Sequence, residues 1–134
     1  MTMLNLLRRC QRGAAAVEFA LAVPILIVMI YGIFQVGLLY EANAGMQHAL
    51  GEGARYATLY DRTTTSKVPT DTAIKARMTA TLFGKNDGTF TVSDPANSTG
   101  YKTLTITYTR TMSFLLVPGP SVTLTRSKRV YTVV

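Results

Sequence analysis

An uncharged, apolar stretch dominates the hydrophobic pattern near the N-terminus. From Phe19 to Tyr40 the chain carries no formally charged side chain over 22 residues. A helix rises ~1.5 Å per residue, so this stretch would extend ~33 Å, about the thickness of the hydrocarbon core of a bilayer. Ala14, Ala15 and Ala16 precede it and are strong helix formers. We therefore predict a transmembrane helix over residues 14–40, preceded by a short basic leader at residues 1–13.

The helical pattern continues beyond the apolar stretch, over residues 41–60, with a different distribution of side chains. Apolar and small residues recur at the spacing of one helix face: Ala42, Met46, Ala49, Leu50, Gly53, Ala57 and Tyr60. Charged and polar residues occupy the opposite face: Glu41, His48, Glu52 and Arg55. The pattern predicts an amphipathic continuation of the helix. Its glycines each cost ~1 kcal/mol relative to alanine, so tertiary packing must hold this half, or it bends.

Residues 41–134 are predicted to form the domain outside the membrane. After residue 60 its sequence pattern predicts only short elements. We expect a loop at residues 61–69, a short helix at residues 70–83 that starts at Thr70-Asp71 and is ended by Gly84, and antiparallel strands over residues 89–134. Within the strand region the predicted elements are a strand at 89–93, a loop at 94–100, a strand at 101–112, a turn at Pro118-Gly119-Pro120 and a last strand at 121–134.

Side-chain alternation assigns the faces of the two long strands. Leu104, Ile106 and Tyr108 share one face of the first, and threonines occupy the other. In the last strand the apolar residues shift from even-numbered positions to odd-numbered positions, and this shift predicts a bulge near residues 127–129. The apolar face of the sheet is expected to cover the helix stripe. The predicted fold class is α+β: a long N-terminal helix, transmembrane in its first half and amphipathic in its outer half, packed on a small antiparallel sheet.

Charge predicts the orientation of the helix. The chain has 14 basic and 7 acidic residues. Arg8, Arg9 and Arg12 lie before the apolar stretch, and no basic residue follows it until Arg55. By the positive-inside rule the N-terminus lies in the cytoplasm and the outer domain lies beyond the membrane. The remaining charge is spread along the chain and does not form the dense basic patch that nucleic-acid binding requires.

Candidate catalytic chemistry is sparse. Cys10 is the only cysteine and His48 the only histidine, and the seven carboxylates show no spacing typical of a metal site or an acid–base pair. There is no glycine-rich phosphate loop. We therefore predict no catalytic residues, no bound metal and no cofactor, and we expect that the protein is not an enzyme.

The residues at the inner border of the apolar stretch resemble a known cleavage site. Gly13 is followed by Ala14, with Glu18 at the fifth position after the glycine and Phe19 next. This arrangement resembles the processing site of type IV prepilins. The longer run from Gly13 to Tyr40, continued by GARYA at 53–57, is similar to the TadE-like family of minor pilins or pseudopilins of tight-adherence (Tad/Flp) pilus systems.

That resemblance carries expectations about partners and location. It implies a pilin-like fold, cleavage between Gly13 and Ala14 by a prepilin peptidase, and a single-pass protein of the bacterial inner membrane whose outer domain is periplasmic or extracellular. It also implies a role in pilus assembly and adhesion, as a homo- or hetero-oligomer formed through the N-terminal helix. The implied partners are other pilins or pseudopilins and the inner-membrane assembly platform. Whether the chain enters the surface pilus is left open.

Glu18 is the candidate functional residue with the most specific hypothesis. A carboxylate at the edge of an apolar span is costly to desolvate and usually needs a partner. Cleavage after Gly13 would create a positive amine at Ala14, one turn away on the same helix face. We hypothesise that Glu18 neutralises this amine, in the same subunit or in a neighbour, where the pair would set the axial register of packed helices. Further candidates for spanning and packing are Phe19, Pro24, Gly32, Gly37 and Tyr40.

Two other functions remain open from the residues. The chain is alternatively an uncleaved single-pass membrane protein whose outer domain binds a ligand or partner. It is alternatively a secreted domain released after Ala44, because Ala42-Asn43-Ala44 fits a small-x-small signal-peptidase site. The N-terminal residue of the mature protein separates the three possibilities.

Overall fold

The described part of the chain forms one long helix, one short helix and a four-stranded antiparallel sheet. The computed structural model describes residues 11–59, 69–114 and 117–131. The elements in chain order are α1 (Gln11–Ala57), α2 (Asp71–Ala80), β1 (Thr89–Val92), β2 (Ala96–Ser98), β3 (Tyr101–Phe114) and β4 (Val117–Tyr131). The predicted α+β class, a long N-terminal helix on a small antiparallel sheet, is confirmed. The division into leader, span and outer domain remains a prediction.

The helix α1 is continuous over 47 residues and is not interrupted at Pro24 or at any of its glycines. Its outer half buries the predicted stripe: Ala42, Met46, Ala49, Leu50, Gly53 and Ala57 are buried, and Ala54 joins them. Glu41, His48 and Arg55 are exposed. The amphipathic continuation is therefore confirmed as far as Ala57, and tertiary packing holds it. Tyr60 and residues 61–68 of the predicted loop lie outside the described residues.

The sheet is organised around β3. β4 pairs with β3 antiparallel along nearly its whole length, from Tyr101↔Tyr131 to Phe114↔Val117. β1 pairs with residues 106–109 of β3, and β2 pairs with residues 101–103. Because β4 takes one edge of β3 over both of these stretches, β1 and β2 share its other edge. The face of β3 that carries Leu104, Ile106 and Tyr108 is buried against α1 and α2, as its alternation predicts.

Several predicted boundaries in the sheet are wrong. The loop expected at 94–100 contains β2, which forms a tight hairpin with β3 through Gly100 in the left-handed region (φ 82°). The turn expected at Pro118-Gly119-Pro120 lies inside β4. The bulge expected near residues 127–129 is absent from that stretch, where pairing is regular. The register shift lies instead between Thr111 and Ser113, opposite the Gly119-Pro120 step, since proline cannot donate to the ladder.

The short helix α2 starts as predicted and ends earlier. Thr70 caps it by accepting a hydrogen bond from the Ala73 backbone N–H at 3.3 Å. It ends at Ala80, three residues before the predicted end, because Thr81 caps the last turn with its N–H donated to the Met78 carbonyl at 3.2 Å. Ile74 and Met78 are fully buried against α1 and β3. The chain then reverses at Gly84 (φ 73°), which lies directly against the backbone of Glu41 and Ala42.

An acidic side chain at the start of α2 joins this helix to the sheet. Asp71 accepts hydrogen bonds from Lys102 Nζ at 2.5 Å and from Asn97 Nδ2 at 2.7 Å. These two donors hold the pKa of the Asp71 carboxyl below its ordinary value. The contact therefore ties α2 to β2 and β3 while the carboxyl is ionised.

This geometry predicts a pH-dependent loss of stability. Because the pKa of Asp71 is lower in the folded chain than in the unfolded chain, its contribution is present above the unfolded value of about 3.9 and is lost as the pH falls through the folded value. We expect Asp71→Asn to flatten the decline in the free energy of unfolding below about pH 4, measured by urea unfolding across pH. Asp94→Asn is the matched control, since its ion pair with Lys75 is exposed and contributes little. Equal slopes for wild type and Asp71→Asn below pH 4 would contradict the assignment.

Candidate functional site

The N-terminal half of α1 is a bare apolar rod. Nearly every described side chain from Gly13 to Phe34 is exposed. Large apolar residues dominate this surface, with Phe19 71% and Ile25 71% exposed. Within the described residues, α1 is the one helix long and apolar enough to cross a membrane. Since a soluble chain rarely exposes a contiguous apolar surface of this extent, the rod requires lipid or partner helices around it.

The predicted cleavage residues lie near the start of this rod. Gly13 and Ala14 are exposed and helical. Gly13 does not break the helix, because α1 already includes Gln11 and runs through Gly13 into the alanines. One glycine costs ~1 kcal/mol, which the neighbouring helix formers outweigh. The helical turn that contains the bond between Gly13 and Ala14 would therefore have to unwind before a peptidase could act on that bond.

Glu18 is exposed and lies one turn from Ala14, on the same face of α1. It is the only carboxylate on the apolar rod. The placement fits the pairing hypothesis, in which a neighbouring subunit or the new N-terminal amine supplies the counter-charge. The roles of Gly13, Ala14 and Glu18 stay predictions.

The other predicted packing residues are spread around the rod and do not converge. Phe19, Pro24, Gly37 and Tyr40 are exposed, and Gly32 is half-buried. An added Cβ at Gly32 or Gly37 would meet no atom of the described residues within 4 Å. Contacts among the described residues therefore do not explain these glycines, which leave room for a neighbouring helix.

The sequence-based prediction missed one buried polar contact of α1. Gln35, inside the uncharged stretch, is only 2% exposed, and its Nε2 donates to the Ser113 carbonyl at 3.2 Å. The hydroxyls of Tyr31 and Ser113 lie 3.2 Å apart. The end of the β3–β4 hairpin thus packs against the apolar rod. The signal was a lone amide side chain within an apolar stretch, which usually has a polar partner when buried.

The outer domain brings few reactive groups together. Across residues 11–59, 69–114 and 117–131, no three His, Cys, Asp or Glu side chains gather to hold a metal ion. His48 is exposed, and its ring packs edge-on to Phe83 at 5.8 Å. An open cavity of about 370 Å³ lies between α2 and β1, with Lys75, Lys85 and Phe90 in its described lining. That lining offers cations and apolar surface but neither a carboxylate nor a histidine.

Two side chains with polar groups, Tyr108 and Arg110, are buried in the core. Tyr108 is fully buried, and its hydroxyl donates to the Lys85 carbonyl at 3.0 Å. Desolvation raises the pKa of this phenol, so it remains a neutral hydrogen-bond donor at physiological pH. Arg110 is 4% exposed and pairs with Asp87 at 3.5 Å. Both residues belong to the packing of the turn between α2 and β1 against β3.

The apolar rod and its amphipathic continuation coincide with a family match. Residues 13–55 match the family model described as TadE-like protein. This segment of the chain is similar to TadE-like proteins. The resemblance inferred from the sequence is confirmed over that range, which covers about a third of the chain. No curated protein and no solved structure matches the chain.

The TadE-like segment corresponds to almost all of α1 and stops before α2 and the sheet. It includes Gly13, Ala14 and Glu18 together with the buried stripe of the outer half as far as Ala54. The matched region is therefore one structural element with two surfaces: an exposed apolar surface and a stripe that holds the outer domain.

Proposed function

We propose that this protein is a minor pilin or pseudopilin required for assembly of a Tad/Flp-type pilus and that a prepilin peptidase cleaves it after Gly13. The observation that carries the proposal is the TadE-like match over a helix whose N-terminal half is apolar and exposed. A subunit built to pack helix against helix needs such a surface, and it needs a separate domain that stays folded outside the membrane.

The proposal assigns a role to each part of α1. Arginines before Gly13 keep the leader in the cytoplasm, so the outer domain is periplasmic or extracellular. After cleavage, the rod from Ala14 onward anchors the protein in the inner membrane and packs against the helices of other pilins or pseudopilins. The assembly platform of the inner membrane acts on this anchored form. The protein itself catalyses no reaction in this role.

Gly13 is suited to cleavage for a physical reason. The peptidase must extend a helical segment to reach the bond, and glycine lowers the cost of unwinding because it stabilises the helix least among the non-proline residues. An added Cβ at Gly13 would meet no atom of the described residues within 4 Å. Packing among those residues therefore does not require the glycine, and processing is its proposed function.

The N-terminal residue of the mature protein tests this proposal. We expect protein purified from its native cells to begin at Ala14, as read by N-terminal sequencing or intact mass. A functional protein that still begins at Met1 would support the alternative, an uncleaved single-pass protein whose outer domain binds a ligand or partner. Gly13→Leu is expected to leave membrane insertion intact and abolish the Ala14 terminus, and Gly37→Leu is the matched control that keeps it.

Release of a secreted domain after Ala44 fits the structure poorly. Cleavage there would cut α1 between Ala42 and Met46, both of which are fully buried in the core. The severed stripe would lose its first residue, and Gly45, which packs against the Phe83 backbone, would become a free terminus. A mature protein that begins at Gly45 would nevertheless establish this third possibility.

A further inference from the structure

The end of the β3–β4 hairpin, like the stretch of α1 from Phe19 to Tyr40, contains no charged residue. Along β3 the last charged residue is Arg110, and along β4 the first is Arg126. Residues 111–125 between them contain no Asp, Glu, Lys or Arg. We call the described part of this stretch, residues 111–114 and 117–125, the hairpin end.

One of the two charged residues that border the hairpin end, Arg126, lies level with the outer end of the uncharged stretch of α1. Arg126 Nε donates to Asn43 Oδ1 at 2.7 Å, which places Arg126 beside the start of the charged half of α1. Glu41 lies within the same turn and accepts a hydrogen bond from Asn86 Nδ2 at 3.2 Å. Beyond this level, toward the N-terminus of α1, the helix is uncharged as far as Phe19 and β4 is uncharged as far as Val117, whereas β3 carries the buried Arg110, which pairs with Asp87.

The hairpin end extends well down the rod. Ser113 contacts Tyr31 and Gln35, nine and five residues before Tyr40. At ~1.5 Å per residue, these contacts lie about 14 and 8 Å below Tyr40 along the helix. If the hydrocarbon core reached Tyr40, the hairpin end would lie deep within it. Open strand edges do not occur in the hydrocarbon region, because their backbone groups would have no partners.

A border at Tyr31 resolves this conflict. The 17 residues from Ala14, the N-terminus after the proposed cleavage, to Ile30 span about 25 Å as a helix, which lies within the range of membrane-spanning helices. Tyr31 then lies at the interface, where tyrosine is enriched. The strand edges of the hairpin end fall at headgroup depth, where water is available to their free N–H and C=O groups.

We propose that the hairpin end of β3 and β4 rests in the headgroup region of the outer leaflet, so that the outer border of the bilayer lies near Tyr31 and not at Tyr40. The outer domain is thus held to the membrane at two places, the rod and the hairpin end. Tyr31, Gln35 and Ser113 fix the angle between them. This inference rests on the rod being the membrane anchor of the proposed function.

Two serines on β4 supply a matched test. Ser121 lies in the hairpin end and Ser127 beyond it. Both are exposed and, being six residues apart, occupy the same face of the strand about 20 Å from each other. The full chain carrying Cys10→Ser receives a single cysteine by Ser121→Cys or Ser127→Cys and a fluorescent label at that cysteine. Each variant is reconstituted in phosphatidylethanolamine–phosphatidylglycerol vesicles with brominated acyl chains, which quench fluorophores near the lipid.

We expect bromolipid quenching at position 121 to be several-fold stronger than at position 127. Equal, weak quenching at both positions would overturn the proposal, and so would equal, strong quenching, which would mean that the whole domain lies flat on the membrane. Flotation of the vesicles reports on the anchor separately. Protein that fails to float refutes the anchor and the proposed function, whereas floating protein without the difference refutes only the position of the hairpin end.

Discussion

Replacing Gly45 by alanine is expected to destabilise the outer domain by about 1–3 kcal/mol, the usual range for an overpacked site. A Cβ at this position would overlap the backbone carbonyl of Phe83, and its distance to that carbonyl carbon would be 3.0 Å. A flexible side chain could rotate away, but a backbone carbonyl moves only if the segment between α2 and β1 shifts. The loss should exceed the gain of ~1 kcal/mol that alanine brings to a helix.

Gly51→Ala is the matched control for Gly45→Ala. Gly51 lies six residues further along the same helix, and an added Cβ there would meet no atom of the described residues within 4 Å. This variant is expected to gain about 0.5–1 kcal/mol from helix propensity alone. Urea unfolding of the detergent-solubilised chain, followed by tyrosine fluorescence, measures both. If the two variants change stability in the same direction, the close approach of Phe83 to α1 is wrong.

Replacement of Glu18 by alanine is expected to abolish or severely reduce pilus assembly while leaving membrane insertion intact. In the cleaved chain Glu18 lies four residues, about 6 Å along the helix, from the new N-terminus at Ala14. A charged side chain toward the centre of a bilayer costs several kcal/mol unless it is paired. The amine at Ala14, in the same or the adjacent subunit, is the proposed partner.

Two companion variants separate charge from shape. Glu18→Gln keeps the size of the side chain and removes its charge, so it is expected to fail in assembly as Glu18→Ala does. Glu18→Asp keeps the charge with a shorter reach and is expected to retain part of the activity. Electron microscopy of surface pili, with membrane fractionation as the insertion control, provides the readout. Wild-type assembly by Glu18→Ala would refute the pairing, and normal assembly by Glu18→Gln alone would show that a hydrogen bond suffices.

The sequence predicted those elements whose periodicity reports directly on a single buried face. The stripe from Ala42 to Ala57 and the alternation of Leu104, Ile106 and Tyr108 each follow from the geometry of one helix or strand. The helix cap at Thr70 is also local, since the side chain bonds to a backbone group three residues away. Errors arose where a proline or glycine has two possible structural roles, as at Pro118-Gly119-Pro120, which forms an irregularity inside β4 and not the turn.

The candidate site was predicted unevenly for a similar reason. Gly13, Ala14 and Glu18 are neighbours in sequence, so their pattern is visible without a fold. The partnership of Gln35 and Tyr31 with Ser113 joins residues about 80 positions apart, and no local pattern specifies it. The close approach of Gly45 to Phe83 is likewise invisible in sequence, where Gly45 reads only as a weak helix residue.

The sequence by itself determined that this chain carries one long uncharged helical segment with an amphipathic continuation. It also determined that the N-terminal border of this segment is basic and resembles a prepilin cleavage site. Hydropathy and helical periodicity could be read without a fold, because they depend only on the order of residues. The tertiary structure decided where that segment meets the rest of the protein. The β3–β4 hairpin packs alongside the uncharged helix down to Tyr31, and this contact moves the inferred membrane border inward by nine residues. The depth of a helix in a bilayer depends on everything attached to its side, and only the folded chain shows what that is.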